Sequence, residues 1–133
     1  MPSAPRFLIK RVSEFAPRSQ ISEIPDYTRG IYALLKKSGE SRYDVVYIGR
    51  ATGEQVCFHS RISDHDKKKE DWSHFSLFEV HDNITKEMIG EIEALILHIY
   101  SQDSRTNIQN LQRRSSLFKE ITASRLANWD KIA

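Results

Sequence analysis

Two short apolar segments, Gly30-Ile31-Tyr32 and Val45-Val46-Tyr47-Ile48-Gly49, each set a tyrosine close to a glycine, with 15 residues from one tyrosine to the other. Runs rich in β-branched and aromatic residues, bounded by polar ones, predict strands over 30–35 and 43–49. The polar connection from Lys36 to Ser41 predicts an antiparallel hairpin with Gly39 at its turn. A third strand is predicted over 72–81, where Phe75, Leu77 and Glu79 alternate with Ser76, Phe78 and Val80. Apolar groups on both of its faces mark a central strand covered by helices. Helical spacing follows over 55–66, with Val56, Cys57, Phe58 and Ile62 as its stripe, and again over 86–100 behind Thr85 or Asp82 as N-cap. Met88, Ile89, Ile92, Leu95, Ile96 and Ile99 give that second helix a wide apolar face. A last helix is predicted over 111–128, with Leu117, Phe118, Ile121 and Leu126 toward the core.

Residues 1–27 read as an irregular lead-in. Phe7-Leu8-Ile9 and Val12 suggest a short strand or one helical turn, and a short helix is expected over 19–24. The expected architecture is a single α+β domain over residues 1–133: a three-stranded antiparallel β-sheet flanked by α-helices. Its core spans about 28–112, and a C-terminal helix and tail fill 113–133.

Composition narrows the classes. A chain of 133 residues, 39% apolar and 29% charged, fits one domain with one hydrophobic core. No apolar run approaches the ~20 residues of a membrane span, and no signal-like apolar region opens the chain. One cysteine, Cys57, rules out an internal disulfide and a cysteine-based zinc site, so a reducing, cytoplasmic or otherwise intracellular setting is expected. The net charge of +2 is unevenly spread. Residues 1–50 carry nine Lys/Arg against five Asp/Glu, residues 51–100 five against ten, and residues 101–133 six against three. Basic ends around an acidic middle suit a protein that holds phosphates at its rim and a cation at its centre.

Several chemistries are absent. There is no phosphate-binding Gly-Lys-Ser/Thr loop, no nucleophile elbow, and no zinc-ligand spacing among the five histidines. What remains is a set: Tyr32, Tyr47, Arg61, His65, one of Glu91 or Glu93, and Asn107 or Asn110. Arg61 and His65 are four apart and share one helical face. The apolar face of the second helix lies between the two glutamates. Leu97 and Tyr100 extend it toward Glu93, and a carboxylate that serves a metal from a packed helix should be partly embedded, which favours Glu93 over Glu91.

This set resembles the GIY-YIG nuclease family. Gly30-Ile31-Tyr32, Tyr47-Ile48-Gly49, an arginine on the following helix, a glutamate on a later helix and an asparagine beyond it cover about 80 of the 133 residues. Tyr47 and Arg61 are 14 residues apart, longer than the roughly ten of the family's repair and homing members, and an arginine followed four residues later by histidine looks like its restriction-enzyme branch. The resemblance implies three antiparallel strands flanked by helices and hydrolysis of DNA phosphodiester bonds with one divalent ion, Mg²⁺ or Mn²⁺. It implies that Glu93 holds the metal, with Glu91 as the alternative, and that Arg61 contacts the scissile phosphate. Tyr32 or Tyr47 takes the proton from the attacking water, with His65 as a neighbouring helper and Asn107 as the family's asparagine.

The chemistry is coherent on its own terms. A free tyrosine, with a pKa near ~10, is a poor base at neutral pH unless a neighbouring cation favours its phenolate. A single carboxylate suits one mostly water-liganded magnesium and falls short of a two-metal site. Lys36, Arg50, Arg113 and Arg114 are the expected backbone-phosphate contacts beside Arg61. The run Lys67–Lys69, flanked by acids that cancel it, reads as a wet surface first. The expected partner is DNA, with specificity supplied by dimerisation or by a separate recognition partner. The alternative function is a GIY-YIG-fold nucleic-acid-binding module with little or no cleavage. A protein-interaction module with incidental tyrosines would leave Arg61, Glu93 and the tyrosines scattered.

Overall fold

The computed structural model describes residues 7–53 and 55–102. Four strands, β1 (Ile9–Pro17), β2 (Gly30–Lys37), β3 (Tyr43–Ala51) and β4 (His74–Val80), form one antiparallel sheet in the order β1-β4-β2-β3. Helix α1 (Phe58–Lys67) lies between β3 and β4, and α2 (Lys86–Ser101) follows β4. No helix among the described residues is long and apolar enough to cross a membrane.

The expected hairpin forms, closed by a turn in which Ser38 N–H donates to the Arg42 carbonyl at 2.9 Å. β4 sits beside β2 as the central strand that its two apolar faces predicted. Its alternation splits the core. Phe75 and Leu77 join Tyr32, Leu34, Phe58 and Ile62 on the α1 face, while Val80 joins Ile31, Ile48, Ile89 and Leu97 on the α2 face. Each helix begins at a cap. Ser60 Oγ accepts the Cys57 N–H at 3.1 Å at the start of α1, and Thr85 Oγ1 accepts the Met88 N–H at 3.1 Å at the start of α2.

Three expectations change. The sheet has four strands where three were expected, because part of the lead-in is β1. β1 is an edge strand with Lys10, Arg11, Ser13 and Glu14 exposed, and its pairing with β4 is broken between Ser13 and Ala16, where Phe15 takes a positive φ of 58°. A bulged, wet edge has no clean period-two pattern to read. The short helix is a 3₁₀ turn, Arg18–Glu23. The face that α2 buries is also rotated from the expected one. Ile89, Glu93, Ala94 and Leu97 are buried, whereas Met88, Leu95 and Ile99 are exposed at 48%, 45% and 59%. The predicted last helix over 111–128 lies outside the described residues.

Arg29, directly before β2, ties the strand ends to the approach to α2. Its guanidinium donates to the carbonyls of Thr52 and His81, each at 3.1 Å, and to that of Ile84. The end of β3 and the turn leading into α2 are thereby held in register with the tyrosine-bearing strands.

Candidate active site

Tyr32 on β2 stands opposite Gly49 on β3, and Leu34 stands opposite Tyr47. Side chains alternate along strands, so both tyrosines point to the face covered by α1. The two glycines have separate reasons. A Cβ at Gly49 would lie 2.5 Å from both Cζ and Oη of Tyr32, so only glycine leaves room for that ring. Gly30 has φ 149°, and a Cβ there would come within 2.1 Å of the Phe78 carbonyl oxygen.

Helix α1 brings the remaining groups. Phe58, Ile62 and His65 form its buried stripe. Gly53 and Val56 bond to each other through both backbone groups, at 3.0 and 2.9 Å, so the chain doubles back after β3 and the long interval still returns Arg61 to the tyrosines. Tyr32 Oη lies 2.9 Å from His65 Nε2, and His65 Nδ1 lies 2.9 Å from Glu70 Oε1. The Tyr47 ring packs edge-on against His65, with centroids 4.4 Å apart, and is stacked with Tyr32 at 6.1 Å. Arg61 lines a groove with Tyr47 and His65. Arg61 Nε is buried without a hydrogen-bond partner among the described residues.

The tyrosines are not equivalent. Tyr32 is 0% exposed, whereas Tyr47 lines an open groove with Arg61, Asp64, His65, Lys67 and Lys68. Burial pushes the Tyr32 hydroxyl well above the ordinary tyrosine value of ~10. The positive charge of Arg61 pulls the other way, and Tyr47 and Glu93 add to the rise. Arg61 thus favours the Tyr32 phenolate as expected, but loss of solvent outweighs it and the net shift is upward.

No family model matches this chain, and neither a curated protein nor a solved structure does.

Glu93 and Glu91 are separated by burial. Glu91 is exposed, while Glu93 is 7% exposed on the sheet-facing stripe of α2. Arg50 Nη1 lies 3.4 Å from Glu93 Oε1, and Gly90 makes room for that guanidinium, since a Cβ there would lie 2.8 Å from Nη1. Glu93 is close enough for its charge to act on Tyr32, although it does not line the groove with Arg61. Among the described residues no group of three or more His, Cys, Asp or Glu side chains gathers around one point. Glu93 is thus a single buried carboxylate that faces Arg50 and is not grouped with further acidic or imidazole side chains among the described residues.

Two further expected contacts lie elsewhere. Arg50 serves Glu93, and Lys36 pairs with Asp71 at 2.6 Å outside the groove lining. Asn107, Arg113 and Arg114 fall outside the described residues. Conversely, Lys67 and Lys68, read as wet surface, line the groove. Glu70 was hidden in the same charged run. Five residues past His65, it would lie off that face of a continuing helix. The helix stops instead, Lys69 adopts φ 55°, and the chain turns Glu70 back onto the imidazole.

Proposed function

We propose that the protein is a GIY-YIG-type endonuclease that hydrolyses DNA phosphodiester bonds with one divalent ion, Mg²⁺ or Mn²⁺. The observation that carries this reading is the convergence of Tyr47, Arg61 and His65, from β3 and α1, at one open groove, with Tyr32 of β2 packed beneath them against His65. Incidental tyrosines have no reason to meet an arginine and a histidine in this way.

In this reading Tyr47, as its phenolate, accepts the proton of the attacking water as the new oxygen–phosphorus bond forms and the bond to the leaving sugar oxygen breaks, the leaving oxygen taking its proton from solvent. Arg61, which lines the groove, neutralises the phosphate oxygens, and Lys67 and Lys68 hold the neighbouring backbone. Tyr32, closed off from the groove, acts through His65 as a positioning residue. Glu93 would hold the metal, which when bound supplies charge stabilisation to the phosphate. DNA is the proposed substrate, read either by a homodimer or with a separate recognition partner.

One observation favours the alternative of a DNA-binding module with little cleavage: Arg50 already occupies Glu93. Nicking of supercoiled plasmid with and without Mg²⁺ or Mn²⁺ separates the two. The nuclease reading expects metal-dependent nicking that falls at least a hundredfold in Arg61→Ala and Glu93→Ala and persists in Glu91→Ala. DNA binding without nicking in either metal establishes the alternative, and equal nicking by the parent and Glu93→Ala removes the metal assignment.

A further inference from the structure

With His65 neutral, Glu70, His65 and Tyr32 form a chain of hydrogen bonds with one self-consistent arrangement of protons. A carboxylate only accepts, so an ionised Glu70 at 2.9 Å from Nδ1 requires that nitrogen to carry the proton. A neutral imidazole then presents Nε2 as a lone pair, and Tyr32 Oη, 2.9 Å away, must donate to it. The direction of the Tyr32 hydroxyl is thereby set by the imidazole. One carboxylate thereby directs every donor along the line.

We infer that Glu70 is a positioning residue of this site: by accepting the His65 Nδ1–H it fixes the imidazole tautomer, and with it the orientation of the Tyr32 hydroxyl beneath the groove. The consequence for cleavage rests on the nuclease reading, whereas the tautomer does not.

The loop that carries Glu70 is itself held. Arg18 Nη1 donates to the carbonyls of Glu70 at 2.7 Å and Trp72 at 2.9 Å. Arg18 Nε meets Asp66 Oδ1 at 2.7 Å, and its guanidinium lies 4.0 Å from the centroid of the Trp72 ring. Such bracing is what a carboxylate needs if it is to orient a histidine that is 5% exposed. A solvated charged run would need none of it.

The test uses the full chain labelled with ¹⁵N, in which the imidazole nitrogens of His65 are assigned by comparison with His65→Gln. The parent should show Nδ1 protonated and Nε2 unprotonated at neutral pH. Glu70→Gln, whose carbonyl still accepts, should retain that pattern. Glu70→Ala should lose it, with an amide spectrum otherwise like the parent's. Cleavage by Glu70→Ala should fall about tenfold to a hundredfold in kcat with KM little changed. A proton on Nε2 in the parent, or an unchanged tautomer in Glu70→Ala, overturns the inference. So does parental kcat in a Glu70→Ala protein that has lost the tautomer. A parent that does not nick DNA defeats the nuclease reading alone, and the tautomer still decides the role of Glu70.

Discussion

At the scale of single residues, the glycines and tyrosines that first draw the eye are coupled by sterics. Gly49 is small because Tyr32 occupies the space its side chain would need. Tyr32 is packed by Phe58 and His65 at ring centroids of 6.4 and 5.8 Å, so it cannot swing aside. Gly49→Ala should therefore destabilise the fold by about 1–3 kcal/mol through overpacking, measured by urea unfolding. It should also weaken any activity that depends on the Tyr32–His65 bond. The tyrosines themselves should part company. Tyr32→Phe leaves His65 Nε2 buried without its donor and should cost about 1–3 kcal/mol of stability. Tyr47→Phe should change stability by less than about 1 kcal/mol yet lower nicking at least a hundredfold, as loss of a general base does. Stability and rate measured on both variants check the assignment, and the reverse pattern would exchange the roles.

At the scale of elements, what could be read from the sequence is what periodicity reports. The hairpin, the central β4 and both helices announce themselves through runs of apolar residues, and Arg61 and His65 are placed on one helical face by their spacing. What could not be read depends on tertiary context. β1 hides because a bulged edge strand is polar on much of its surface. The buried stripe of α2 is set by which side meets the sheet, and a partly charged stripe through Glu93 loses to Met88, Leu95 and Ile99 in any count of hydrophobicity. Glu70 depends on a left-handed Lys69 where glycine would have signalled a helix end. Arg29 belongs to the same class: its three carbonyl partners come from segments 23 to 55 residues away in sequence. A lysine presents one compact ammonium and cannot span them. Arg29→Lys should therefore lower stability by roughly 1.5–3 kcal/mol, seen as a lower urea midpoint with an unchanged m-value.

At the scale of the whole molecule, the α1 side of the sheet serves both as hydrophobic core and as the buried support of the groove, so titration of the site and stability of the fold are linked. Tyr32 is the clearest case. Burial raises its folded pKa above the ordinary value, so the folded state holds the phenolic proton more tightly than the unfolded chain does. The sign follows. Below pH ~10, the unfolded tyrosine value, both states are protonated and the contribution is fully present. As pH rises above that value the unfolded chain releases the proton and the folded protein does not, so stability falls until the folded group also ionises. Equilibrium unfolding in urea at a series of pH values from 8 to 11 should show a steeper loss above ~10 in the parent than in Tyr32→Phe, which has no proton to release at that position. Tyr47→Phe serves as the control, because it deletes a tyrosine from the groove lining and leaves Tyr32 buried beneath. Its alkaline slope should follow the parent's. If Tyr32→Phe and the parent lose stability in parallel, Tyr32 is not the buried, tightly protonated phenol that joins the core to the site.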